Sequence, residues 1–184
     1  MSSFFPPKSL ELTMALIKPH AAKVPPIVQQ IKNEILNNKF FIIRYSRRLL
    51  SLEDAQAMYK EHEGKPFYDR LVNLMTSGPT ETFILARENG IKRWREMMGP
   101  TRTFDAMFHA PFSFRSLYGM SNTKNATHGS DSPESAKRET TIIFPEFSYD
   151  EWYEDDEIFY RNGYAKFDED EFIHEKEMED FPVN

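Results

Sequence analysis

A chain of 184 residues, 40% hydrophobic and 14% aromatic, carries enough apolar mass for one packed domain with an appendage. It has no cysteine, which excludes disulfides and cysteine-rich zinc sites, and no apolar run approaches the ~20 residues of a membrane-spanning helix. The formal net charge of -6 hides a division: residues 150–184 hold 14 acidic and 3 basic side chains, leaving 15 acidic and 20 basic ones before them. The basic body suits anionic ligands such as nucleotides, whereas the acidic segment reads as a flexible tail or regulatory arm.

Residues 1–10 read as an N-terminal arm with one basic residue, Lys8, and no signal-peptide-like apolar core, so the cytoplasm is the default compartment. A first strand is predicted over residues 11–17, ended by Lys18 and Pro19. Pro25 and Pro26 suit the first turn of a helix that places Ile27, Val28, Ile31, Ile35 and Leu36 on one face. The apolar, β-branched run 40–50 predicts a second strand, and Ser51 with Asp54 opens a helix running to about His62. Pro66 opens another, bearing Phe67, Leu71, Leu74 and Met75 on a face until Ser77, Gly78 and Pro79 stop it. A third strand over 82–86 and a helix over 89–98 follow, with Gly99-Pro100 as terminator. Residues 101–123 are rich in aromatic and turn residues and read as a long irregular loop, of the kind that is usually functional. Residues 125–129 suit a short strand or turn, and 132–143 a helix with Pro133 in its first turn. After Phe147 there is no clear period. This order points to an α/β sandwich of the ferredoxin-like type, a four-stranded antiparallel sheet with helices packed on it, occupying residues 11–149 ahead of the tail.

The segment most informative about chemistry is Asn125, Ala126, Thr127, His128, Gly129, Ser130, Asp131. It sets a histidine at a strand-to-helix junction, where Gly129 permits close approach of another group to the imidazole and Asp131 or Ser132 can cap the helix. Glu139, farther along that helix, lies within reach of His128 or Ser130. A histidine oriented by a hydroxyl and a carboxylate has one ring nitrogen held and the other free as a nucleophile. Taken alone, a lone histidine more often serves local structure.

The string Asn125-x-x-His128-Gly129-Ser130-Asp131 resembles the active-site signature of nucleoside diphosphate kinases. The likeness extends to Leu16-Ile17-Lys18-Pro19, to Tyr59 with the segment 62–68, to 75–79, and to the segment from Trp94 and Arg95 to Thr101. It thus spans most of the body, in order. Gly99-Pro100-Thr101-Arg102 and the long loop after it look most like the family's divergent type 6 branch.

The resemblance implies transfer of the terminal phosphoryl of ATP to nucleoside diphosphates, by a ping-pong mechanism through a phosphohistidine at His128. It implies catalytic parts for Lys18, Tyr59, Ser130 and Glu139, phosphate contacts from Lys18, Arg95, Thr101 and Arg115, and a ribose contact from Asn125. Phe67 would stack on the base with Leu71 beside it, a contact every base accepts. Mg²⁺ would be held mainly through nucleotide phosphates, with no protein metal site. Singly, each residue has a plainer reading: Phe67 and Leu71 as core, Tyr59 as helix-face packing, the arginines and Glu139 as solvated, Lys18, Thr101 and Asn125 as strand-end or turn chemistry. The resemblance also keeps mitochondria open as a compartment, and a homo-oligomer or protein partner.

Departures from the family pattern are a longer 101–115 loop, Ser116 after Arg115 in place of glycine, Asn122 where many members place an aliphatic residue against the base, and Thr123 in place of a glycine. They support a second reading, a weakly active or inactive nucleotide-binding regulatory protein that needs a partner. The acidic tail is expected to fold back near the basic site and compete with phosphates. Nucleic-acid binding is disfavoured because no stripe alternates basic and aromatic residues. His20, His62, His109 and His174 receive no role.

Overall fold

The computed structural model describes residues 8–179; most of the expected N-terminal arm, residues 1–7, and the last five residues of the expected tail lie outside them. Four strands, β1 (Glu11–Ile17), β2 (Phe41–Arg48), β3 (Thr80–Arg87) and β4 (Thr127–Gly129), form an antiparallel sheet in the order β2-β3-β1-β4. With helices on both faces, this is the ferredoxin-like α+β sandwich expected from the element order. In the β1–β4 register Leu16 pairs with His128.

The central strands are buried almost throughout because both sheet faces are covered. Leu12, Met14 and Leu16 point into one core, with Ile43 and Ile84. Helices α3 (Leu52–Met58), α4 (Tyr68–Met75) and α8 (Pro133–Ile143) close it through Met58, Met75 and Ile143. Ala15 and Ile17 point into the other, closed by α1 (Pro19–Ala22), α2 (Pro25–Asn37) and α5 (Gly90–Met98) through Ala21, Ile31, Ile35 and Trp94. Ser51 caps α3 by accepting the Asp54 N–H at 3.0 Å, and Ser132 caps α8 by accepting that of Ser135 at 3.1 Å.

Within residues 11–149 three expectations about helices and loops change. The helix expected to reach His62 ends at Met58 and continues as a 3₁₀ turn, Lys60–His62. The helix expected from Pro66 starts at Tyr68, with Phe67 at its N-cap. The loop 101–123 contains α6 (Thr103–His109) and α7 (Phe114–Tyr118). These helices have seven and five residues, too short for an apolar period to show in the sequence.

The acidic segment, expected as a flexible tail, instead carries regular structure over most of its length. It runs through α9 (Tyr149–Glu151), a π turn (Trp152–Asp156) and α10 (Glu157–Arg161) to a hairpin of β5 (Ala165–Asp168) and β6 (Ile173–Lys176). Most of its acidic residues face out, Glu157 being buried, while Trp152 and Tyr160, 3% and 5% exposed, face in and complete the first core. Tyr153 Oη and a Glu157 carboxylate oxygen accept the backbone N–H groups of Leu12 and Leu10 at 2.9 and 2.7 Å. His174 Nδ1 accepts the N–H of Ile42, at 2.9 Å, on the sheet's edge strand. Composition indicated solvation because it averages two faces that the fold separates.

Candidate active site

The end of β1, the start of α4, the loop after α5, and β4 with α8 converge on a cleft of about 550 Å³. Lys18, Tyr59, Phe67, Leu71, Arg95, Thr101, Arg115, Asn125, His128 and Glu139 all line it. Ser130, fully buried, lies behind this wall. A more open groove of about 770 Å³ adjoins it across Arg95 and Asp131, but the convergent imidazole, carboxylate and cations face the smaller cleft.

His128 is held from several sides. Its Nε2 lies 3.1 Å from Glu139 Oε2, the same oxygen that accepts the Ser130 hydroxyl at 2.7 Å. Ser130 Oγ in turn accepts the Met14 N–H at 3.1 Å, which fastens the carboxylate to the central strand. The Trp94 indole N–H donates to the His128 carbonyl at 3.0 Å, and the Tyr59 ring meets the imidazole edge-on at 5.5 Å between centroids. A carboxylate at Nε2 assigns the proton to that nitrogen and leaves Nδ1 as the ring's lone-pair donor. Burial opposes ionisation of Glu139, but the His128 ring, the Ser130 hydrogen bond and Arg138 outweigh it and hold the carboxyl below the usual range. Gly129 is needed for the Trp94 indole rather than for a group at the imidazole, because an added Cβ would sit inside the indole's van der Waals contact.

The cations also line the cleft. Lys18 is 5% exposed and donates to the Thr123 carbonyl at 3.1 Å. Burial, then Arg115, push its ammonium down to about 7. Arg115 donates to the carbonyls of Gly99 and Thr127 at 2.8 and 3.3 Å, with Thr101 Oγ1 at 3.5 Å. Burial, then Arg95, push this guanidinium down to about 10, so it remains charged at neutral pH. Asn125 uses its amide donors on the Thr101 and Asn122 carbonyls, each at 3.1 Å, which leaves Oδ1 as the atom for a ligand hydroxyl. Tyr59 Oη, Arg115 Nε and Asn125 Oδ1 are buried without a hydrogen-bond partner among the described residues. Buried polar atoms left unpaired call for an explanation, and a polar ligand in the cleft would supply one for these three.

Phe67, expected from its spacing to be core, is 37% exposed at the cleft mouth, beside His62 and under Lys65 Nζ. Leu71 is 7% exposed and serves both core and cleft. Sequence reasoning missed His62, Arg70, Arg102 and Asp131 as cleft residues, and Trp94 as a holder of the His128 backbone. Arg70 had a signal, since it falls one turn after Phe67 on the same helix face; His62, Trp94, Arg102 and Asp131 lie within the strings that resemble the family, but residue type and spacing gave them no separate role. The proposed competition of the acidic tail with phosphates has no support in this geometry, because no described residue beyond Glu139 lines the cleft.

The nucleoside diphosphate kinase family model matches residues 11–149. The chain is 48% identical over 168 residues to nucleoside diphosphate kinase 6 of Mus musculus, covering 91% of this chain and 89% of that one. It is 49% identical over 157 residues to the Homo sapiens protein of the same name, covering 85% and 84%. Among solved structures, the Aquifex aeolicus nucleoside diphosphate kinase superposes with a TM-score of 0.71 at 37% identity, covering 74% of this chain and 96% of that one. A halophilic nucleoside diphosphate kinase from Halobacterium salinarum, in complex with CDP, superposes with a TM-score of 0.67 at 29% identity, covering 73% and 87%. The chain belongs to the nucleoside diphosphate kinase family, with the type 6 members among its near relatives.

Proposed function

We propose that this chain moves the terminal phosphoryl group of ATP to nucleoside diphosphates through a phosphohistidine on His128 Nδ1. The observation that carries the reading is the pairing of His128 Nε2 with the buried Glu139 at 3.1 Å, in a cleft whose facing groups are Lys18, Arg95 and Arg115.

In the first half-reaction the Nδ1 lone pair attacks the γ-phosphorus, the P–N bond forms, and the bond to the β,γ-bridging oxygen breaks. The nucleoside diphosphate leaves with that electron pair. In the second half an oxygen of another diphosphate's terminal phosphate attacks the same phosphorus, and the P–N bond breaks, restoring the imidazole. The Nε2 proton stays in its bond to Glu139 throughout, so the positive charge that develops on the ring meets a carboxylate. The transferring group has a loose transition state with charge spread over its oxygens, so the protein's task is mainly position and charge. Lys18, Arg95 and Arg115 supply cations, the guanidinium fork matching phosphate oxygens two at a time, and Thr101 adds a hydroxyl. Asn125 Oδ1 accepts a ribose hydroxyl, and Phe67 stacks on the base with Leu71 beneath. The facing groups are mostly donors that fit phosphate oxygens, so Mg²⁺ would be held through the nucleotide. When bound, it neutralises β- and γ-phosphate charge.

The test mixes purified protein with γ-labelled ATP and Mg²⁺ and follows acid-labile, base-stable label, with His128→Asn alongside. The reading expects label on the wild type alone, discharged by added diphosphate. Well-folded protein that binds nucleotide and takes no label would instead select the regulatory reading. Phe104, Phe108 and Phe112, 68%, 68% and 88% exposed on the α6–α7 segment, support association with a second copy or a protein partner. Sedimentation of wild type against Phe108→Ser tests that association.

A further inference from the structure

We propose that His20 is a positioning residue for the phosphoryl-transfer site: its Nε2 accepts the backbone N–H of Ala126 and so holds the turn that sets Asn125 and His128 beside Lys18. The inference rests on the kinase reading for its consequence, but not for its geometry.

The turn needs holding. Thr127 N–H donates to the Asn125 carbonyl at 2.9 Å, closing a γ-turn centred on Ala126. Ala126 has φ +72°, in the region L side chains rarely adopt, and is wholly buried. A strained residue of this kind persists only where its surroundings over-determine it. Three ties do so. The Lys18 N–H donates to the Ala126 carbonyl at 2.8 Å, Asn125 ties its amide to the carbonyls of Thr101 and Asn122, and the Ala126 N–H donates to His20 Nε2 at 3.2 Å. His20 is the tie that needs a particular side chain on the far side of the turn. It is 9% exposed in the first turn of α1, directly after Lys18 and Pro19, and thus couples the lysine's own segment to that of the histidine. An Ala126 N–H without this acceptor would be a buried unsatisfied donor, which is costly.

The arrangement requires a neutral ring with its proton on Nδ1. The surroundings enforce neutrality: burial first, then Lys18, Lys124 and Lys23, push His20 down to about 4, against a smaller opposing pull from the Lys124 backbone. Nδ1 is buried and meets no partner at hydrogen-bond geometry among the described residues, so the ring is anchored through Nε2.

The experiment compares full-length wild type with His20→Gln, whose carboxamide oxygen reaches the place of Nε2, and His20→Leu, which fills the space without an acceptor. Amide hydrogen exchange at Ala126 is read by NMR, together with kcat and KM for phosphoryl transfer. The proposal expects His20→Leu to exchange Ala126 at least ~10-fold faster and to lose about 10-fold or more in kcat with KM little changed. His20→Gln is expected to restore both. Wild-type kcat and protection in His20→Leu would overturn it, as would loss of activity in both variants with Ala126 still protected, since His20 would then act through packing alone. If His20→Leu fails to fold, ring ¹⁵N shifts of the wild type decide: a neutral Nδ1–H tautomer from pH 5 to 8 supports the proposal, and the other tautomer or titration in that range sinks it. A wild type that transfers no phosphoryl overturns the kinase reading, and the exchange and ring data still decide the His20 contact.

Discussion

Glu139 Oε2 and His128 Nε2 lie 3.1 Å apart, although eleven residues and a strand-to-helix junction separate them in the chain. The same carboxylate oxygen takes the Ser130 hydroxyl, and Ser130 is tied to Met14 on the central strand, so the orientation of the His128 ring is referred to the rigid sheet rather than to a loop. Replacing Glu139 with glutamine keeps the shape and removes the charge that, in the proposed transfer, offsets a developing imidazolium. Single-turnover labelling of Glu139→Gln should be slower by about 10–100-fold with nucleotide affinity nearly intact. A labelling rate equal to wild type would mean that Glu139 is a structural partner of Ser130 only.

Lys18 sets stability against function. Its folded value of about 7 lies below the ordinary 10.5, so between these values the unfolded chain binds the extra proton. Stability contributed by this group therefore rises with pH across the window, and below about 7 the full cost of a buried charge is present. Lys18→Met should raise unfolding free energy at pH 7 by ~1–4 kcal/mol, with a smaller gain at pH 10, while phosphoryl transfer falls by about 100-fold or more. Thermal unfolding at the two pH values reads the first effect. A destabilised Lys18→Met would show that the ammonium's bond to the Thr123 carbonyl outweighs its burial.

Phe67 is half-open to solvent at the cleft mouth, where a base has a face to stack on. Phe67→Ala should weaken binding of purine and pyrimidine diphosphates alike by ~1–3 kcal/mol, with thermal stability little changed. Equal affinity in calorimetric titrations of both proteins would return Phe67 to a packing role.

The described part of the C-terminal segment packs on the first core and does not line the cleft. Trp152 is 3% exposed within the first core, and the segment's Tyr153 and Glu157 accept backbone donors at the start of β1. Trp152→Ala should cost ~3–5 kcal/mol of unfolding free energy and leave the salt dependence of nucleotide binding unchanged. A change in that salt dependence, at temperatures where the variant stays folded, would restore the idea that the acidic segment competes with phosphates.

Local chemistry determined much of this protein by itself. The run 11–17 is β1 to the residue: its loose apolar alternation reads as a short strand, and Lys18 and Pro19 end it. Ser51 and Ser132 cap the helices they were expected to cap, because a capping hydroxyl acts within three residues. The segment 125–131 stood out through its resemblance to a family signature, and its Asn125, His128 and Asp131 line the cleft. Tertiary structure alone decided what depends on neighbours distant in sequence. Phe67 and Leu71 look equivalent on a helical wheel, and only the cleft separates the half-open phenyl ring from the buried leucine side chain. Gly129 announced a close approach without saying that Trp94 makes it. The acidic segment hid its order because charge is averaged along a sequence, whereas burial is decided one face at a time. His20 gave no signal at all, since the donor it receives is a backbone N–H 106 residues away, and a backbone group leaves no mark in the amino-acid sequence.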